Sequence, residues 1–216
     1  MSTPRARKRP GPAGGIRDEN RKRRIAALLD ACLRLFLRHG LELVTIDDIT
    51  ASARMAKGGF YRYFDDKDAL VRALFAPLAE RIEDAFARCS QQLAAARSIE
   101  AIAGSYMTLA NDLAALVLER PEVVRLYLQE SRGAAAGPRR PVSRLNARIL
   151  ELSIGVTRVA IERRLMRPFS AEIVTLAVIG ASEALIHAHL AGDATAPADG
   201  VAPALIDLFL HGVASK

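Results

Sequence analysis

From about Asp18 onward the apolar positions of this chain recur at helical spacing, and none of its segments alternates like a strand. Ile25, Leu28, Leu29, Cys32, Leu35 and Phe36 trace a first helix, and Gly40 is placed to end it after His39. Ile46 and Ile49 give a short second helix its apolar face. A third is expected from Lys57 to Arg62, with Phe60 and Phe64 holding it on a core. After Asp65-Asp66, the row Leu70, Leu74, Leu78 marks a long helix reaching Leu93, in which Pro77 signals a kink or join.

Further on, Ser98 caps a helix carrying Ile99, Ile102, Tyr106, Leu113 and Val117, and Pro121 opens a short one that stops before Gly133. Residues 133–141, rich in Gly, Ala and Pro, read as a mobile loop. The helix expected from about Val142 to Arg164 has two apolar rows, Leu145/Ile149/Leu152/Val156 and Leu150/Ile154/Ile161/Leu165, which implies burial between neighbours. Pro168 and a Ser170 cap introduce a helix to about Leu190, and residues 197–203 separate it from a last one ending near Val213. The expected fold is all-α, with about nine helices and no internal repeat.

The densest chemistry lies between Thr45 and Phe64. Thr45 is a cap with Asp48 at the reciprocal position, and Asp47 adds negative charge where the helix dipole is positive. A break follows, then a helix offering Lys57, Gly58 and Arg62 to a groove, the layout of a DNA-binding helix-turn-helix. Charge supports this reading more strongly through its distribution than through its total of +7. Residues 1–75 hold 16 Lys and Arg against 9 Asp and Glu, and the remainder holds 15 of each. The surplus would draw a polyanion to one end of the molecule. Three segments are therefore expected: a disordered basic arm over residues 1–17, a helix-turn-helix domain over 18–66, and a ligand-binding and dimerisation domain over 67–216.

Half of the 216 residues are hydrophobic, and Trp is absent, so the core is aliphatic. The two cysteines, Cys32 and Cys89, show no metal-ligand spacing and suit a reduced, cytoplasmic compartment. The basic start runs into Pro and Gly rather than an apolar stretch, which is unlike a secretory signal. Ile173 to Leu190 is apolar but interrupted by Glu183, His187 and His189, and reads as a buried helix rather than a membrane span. No phosphate loop, HExxH, nucleophile elbow or paired Cys is present, so neither an enzyme nor a cofactor or metal site is expected. His187 and His189 point about 200° apart on a helix, too far to share a metal.

Residues Ile25 to Phe75 resemble the DNA-binding domain of the tetracycline-repressor (TetR/AcrR) family of bacterial transcription regulators. The likeness rests on Ala26-Ala27, Leu35-Phe36, Gly40, Thr45-Ile-Asp-Asp-Ile49, Phe60-Tyr61-Arg-Tyr-Phe64 and Lys67-Asp-Ala-Leu70. It implies that Thr45, Tyr61, Tyr63 and Lys67 meet phosphates while Lys57, Gly58 and Arg62 approach bases. Where the family commonly has Gly, Ser and Thr, this chain has Arg54, Ala56 and Gly59. The helical remainder is similar to that family's ligand-binding and dimerisation domain in pattern and length.

The resulting expectation is a homodimeric repressor of a palindromic operator on double-stranded DNA, released by a small apolar effector. The alternative is an architectural DNA binder without an effector. Tyr106, Asn111, Tyr127, Thr157 and His187, with Asp112 and Glu130, are candidates to line the effector cavity; each taken singly is also readable as a satisfied core or surface group. The stripe Ala177, Gly180, Ala181, Ala184 and Ala188, together with Leu205, Leu208, Phe209 and Gly212, is a candidate dimer seam, with packing inside one chain as the alternative.

Overall fold

Side-chain oxygens set where the helices begin. Thr45, Asp66, Ser98 and Ser170 each accept a hydrogen bond from the amide three residues ahead, satisfying one of the donors that a helix start leaves open. The structure, a computed structural model, describes residues 15–163 and 170–193. Its helices are α1 (Ile16–Leu43), α2 (Ile46–Ser52), α3 (Lys57–Phe60), α4 (Lys67–Ala95), α5 (Ile99–Glu119), α6 (Pro121–Glu130), α7 (Arg140–Glu162) and α8 (Ala171–Leu190). A 3₁₀ turn, Gly137–Arg139, precedes α7, and no strand occurs among the described residues. Residues 1–14 of the arm expected over 1–17, and the last helix with Leu205, Leu208 and Phe209, lie outside the described residues, while Ile16 and Arg17 of that expected arm begin α1 instead.

The helix α4 is the spine. It buries Leu70, Val71, Leu74, Phe75, Leu78, Ile82, Phe86, Cys89 and Leu93, and packs against α1, α5 and α7. Its first turns share a core with Leu28, Cys32 and Phe36 of α1 and Phe60 after the break, and its later turns with Ile102, Leu126 and Val156. One apolar core therefore runs from the helix-turn-helix into the rest of the chain. Pro77 sits on the exposed side of α4, and the helix continues through it.

Gly40 breaks α1 without ending the run of helix. Its φ of 77° and ψ of 163° lie where a side chain is strained, and Leu41, fully buried, follows it. Residues 133–141, expected as a mobile loop, are tied down instead. Arg139 crosses Gly133 so closely that a Cβ there would lie 2.7 Å from its Cδ, and its Nε donates to the Glu130 carboxylate at 2.7 Å. Its Nη1 also donates to Glu42, and α7 starts at Arg140 rather than Val142. The row Leu145/Ile149/Leu152/Val156 of α7 packs on the core, whereas Leu150, Ile154 and Ile161 on its second row are only partly covered.

The helix α8 departs from expectation. Read as a buried helix, it buries only Ala171 and Thr175, and leaves Ile173 70% and Leu176 57% exposed. Periodicity cannot foresee this, because α8 is apolar all round and only its packing shows which side is covered. The uncovered side carries Ile173, Leu176, Ala177, Ala184 and His187.

Replacing Gly40 by Ala should cost about 1–3 kcal/mol of stability, because the backbone there is left-handed and the new Cβ would touch a Glu130 oxygen. Urea unfolding measures this directly. A midpoint equal to that of the parent would show that α1 accommodates a side chain at its break.

Candidate nucleic-acid interface

The first helix of the pair is locked at its start by a complete capping box. The Thr45 hydroxyl accepts from the Asp48 amide (3.2 Å), and the Asp48 carboxylate accepts from the Thr45 hydroxyl (2.6 Å) and amide (2.9 Å). The Thr45 hydroxyl, then its amide, hold the Asp48 carboxyl below the usual range. At the other end the amides of Met55 and Arg54 return to the carbonyls of Thr50 and Ala51, which is a Schellman closure. The residue at its left-handed position is Arg54, with φ 52°. A residue that glycine would normally supply is here a cation.

The second helix is shorter than expected. It spans Lys57–Phe60, and residues 61–63 continue as turns rather than as helix to Arg62. Two adjacent glycines and the absence of a side-chain cap at Ala56 explain why helix does not extend. Its placement comes from the core. Phe60 is fully buried, edge-on to Tyr61 at 5.4 Å and 5.7 Å from Phe64. Gly59 has its own steric role: a Cβ would lie 2.7 Å from Met55 Cγ, so the missing side chain lets Met55 fold against the helix.

That anchoring leaves Lys57, Gly58, Tyr61 and Arg62 exposed together, with Tyr63 half-buried beneath them and Thr45 exposed at the start of α2. Lys57 is already engaged. Its ammonium lies 2.9 Å and 3.0 Å from the two oxygens of Asp47, an exposed pair whose hydrogen bond raises the lysine's pKa. Such a pair is readily exchanged for another anion. Asp47 was legible as a dipole partner of α2, but its hold on Lys57 crosses the turn and shows no local signal.

Lys67 is engaged within the protein. Its ammonium donates to the carbonyls of Leu41 (2.8 Å), Val44 (2.7 Å) and Glu42 (3.3 Å), and an ammonium has three N–H groups. Those carbonyls close the end of α1, so the lysine caps that helix. Burial lowers its pKa.

Comparison with known proteins agrees with this geometry. Residues 28–74 match the family model for bacterial regulatory proteins of the tetR family. Over that segment the chain is similar to the tetR family. It is 31% identical over 84 residues to the HTH-type transcriptional regulator EthR of Mycolicibacterium smegmatis, a match covering 39% of this chain and 36% of that protein. Solved structures share the fold: the fatty acid degradation regulator FadR of Bacillus halodurans (TM-score 0.67, 15% identity) over 88% of this chain and 99% of that one. A TetR-like regulator from Rhodococcus sp. RHA1 (TM-score 0.65, 21% identity) matches over 89% and 97%. FadR of Bacillus subtilis, solved in complex with stearoyl-CoA, matches with TM-score 0.67 at 14% identity, covering 88% of this chain and 99% of that one.

Beyond the matched segment the five expected cavity residues separate. Tyr106, Tyr127 and Thr157 point inward: Tyr106 donates to the Val156 carbonyl (3.2 Å), Tyr127 to Asn146 (2.8 Å), and Thr157 meets Thr175 (3.1 Å). Burial raises the pKa of both phenols, and the nearby Glu183 adds to the effect at Tyr127. Asn111 and His187 are exposed instead, because each lies on the outer side of its helix. Asp112 pairs with Arg88 at 2.7 Å, and Glu130 is committed to Leu41 and Arg139. An open cleft of about 200 Å³ between α6, α7 and α8 is walled by Leu150, Leu176, Ile179 and Gly180, with the Arg132–Glu183 ion pair at its edge. Among the described residues no group of three His, Cys, Asp or Glu is placed to hold a metal.

Arg54→Gly should stabilise the protein by about 1 kcal/mol, since glycine occupies the left-handed position of the Schellman closure without steric cost. Thermal unfolding at a fixed protein concentration reads it. A lower midpoint for the glycine variant would mean that Arg54 makes a compensating contact that outweighs its backbone strain.

Proposed function

We propose that this tetR-family regulator is a homodimeric, ligand-responsive repressor that binds a palindromic operator and is released when a small apolar effector enters its C-terminal helices. The observation that carries the reading is the group of exposed side chains, Lys57, Tyr61 and Arg62, fixed by the buried Phe60 beneath them. Thr45, Tyr61 and Tyr63 are assigned to phosphates, and Lys57, Gly58 and Arg62 to base edges. Lys67 acts by holding the end of α1. The domain division proposed with it is a helix-turn-helix domain from the start of α1 to residue 66, behind the basic N-terminal residues, and effector binding and dimerisation over 67–216.

Two copies are needed because one helix-turn-helix reads only a few base pairs. The open face of α8, with Leu176, Ala177, Gly180 and Ala184, supports the seam. A long apolar helix left uncovered on one side is a surface that a second copy would bury. His187 then belongs to this seam rather than to the effector cavity. For the effector, Tyr106, Tyr127 and Thr157 remain as lining residues. The stearoyl-CoA complex of the Bacillus subtilis FadR supports a ligand with a large apolar part. Release requires that the effector favour the form that does not fit DNA, and a difference of about 3 kcal/mol would lower occupancy roughly 150-fold. A regulator of this kind works beside DNA in the cytoplasm.

Footprinting on randomised DNA tests the whole reading, since a repressor selects one palindrome and an architectural binder protects many sequences alike. On the selected site, Lys57→Ala and Arg62→Ala should weaken binding roughly 5- to 150-fold while changing random-sequence binding little. Tyr61→Phe, which removes a phosphate donor, should weaken both alike. Equal losses on both kinds of DNA for all three variants would remove the base-contact assignment.

Ala184→Arg tests the seam. Ala184 is exposed on a single chain, so the variant should fold normally yet sediment as a monomer, because a seam would have to bury an unpaired guanidinium. Palindrome binding should then fall towards the non-specific level. An intact dimer with normal operator affinity would place the interface elsewhere.

A further inference from the structure

Leu41 is held at both of its backbone polar groups by side chains of opposite charge from two other helices. Its carbonyl accepts from Lys67 of α4 at 2.8 Å, and its amide donates to the Glu130 carboxylate at the end of α6 at 3.2 Å. Glu130 is only 3% exposed. Its other oxygen takes the Arg139 Nε at 2.7 Å, and the far side of that guanidinium binds Glu42, the residue after Leu41. Gln129 extends the grip, donating to Glu130 at 3.2 Å and to the Phe36 carbonyl at 3.4 Å. The site of attachment matters: Gly40 has broken α1, and residues 41–44 alone join the long part of α1 to α2.

We propose that Glu130 and Arg139 are positioning residues for DNA recognition. Through Leu41 and Glu42 they fix the attitude of α2 and α3 against the helices from α4 onward. In a dimer, that attitude sets the distance between the two copies of α3. The inference rests on the dimeric, palindrome-binding reading above. The geometry favours orientation over mere adhesion. The core beneath already joins the two parts of the chain through Phe36, Leu70 and Phe75, whereas the carboxylate and guanidinium act at the one segment where rotation would swing the pair. A guanidinium that bridges two carboxylates through different nitrogens also defines direction, which apolar contact does not.

The test uses the full chain and three DNA probes: the selected palindrome, the same half-sites with the centre changed by one base pair, and a single half-site. The parent should bind the altered spacing about tenfold or more weakly than the selected one. Glu130→Gln keeps the size of the buried side chain and an acceptor for Leu41, but drops the charge that holds Arg139. Glu42→Gln cuts the same tether at its exposed end and leaves the buried pair intact, so it decides the matter should Glu130→Gln fail to fold. Each variant should reduce the spacing penalty to about threefold or less, with single half-site affinity within about twofold of the parent. A folded Glu42→Gln variant that keeps the parent's spacing penalty overturns the proposal and leaves the dimeric reading standing. A parent that shows no spacing preference overturns the dimeric reading itself, and this inference with it.

Discussion

The ammonium of Lys67, set among three carbonyls, is the contact on which the presentation of the helix-turn-helix depends. It places a cation at the first turn of α4, where the helix dipole disfavours it, and balances that cost with the carbonyl end of α1. Two helix ends, each unfavourable alone, become complementary through one side chain. The turn between them can then be short, and α2 leaves it at a capped, defined angle. Phe60 and Phe64 complete the arrangement from below, so a second helix of a single turn is positioned by its buried ring rather than by its own stability.

The same logic separates the two ends of the molecule. Around residues 40–44 nearly every polar group is partnered, and charge is used in alternation: Lys67, Glu130, Arg139 and Glu42. At α8 the opposite holds, because an apolar helix is left with little cover on one side. A fully partnered joint at one end and an incompletely covered apolar surface at the other set the two ends of the molecule apart. Between them, α4 runs as one continuous helix, since Pro77 faces outward and does not interrupt its buried row.

What the sequence revealed divides along physical lines. Caps are local, so Thr45, Asp48, Ser98 and Ser170 could be read from spacing of three residues, whereas the turn position of Arg54 was marked only by the glycine common there in the resembled family. The apolar period located the helices of the core. It could not say which side of α8 is covered, nor that Asn111 and His187 face outward, because a period defines faces without defining neighbours. The short extent of α3 was missed because the aromatic spacing outweighed two glycines and an uncapped start. Glu42 and Arg139 lie 97 positions apart, and no local pattern announces such a pair. Lys67 was recognisable as a residue of consequence by resemblance, but its partners are carbonyls, which sequence does not display.

The sulfur chemistry of the fold bears on what kind of signal the protein can receive. Cys32 and Cys89 are the chain's two cysteines, both sealed in the core, where burial pushes their thiols up to about 12 and about 11. Oxidants act on the thiolate, and at neutral pH these side chains hold almost none. They also stand on different helices inside packed apolar surroundings, without access for a peroxide or a glutathione. These two thiols are therefore poorly placed to sense oxidants.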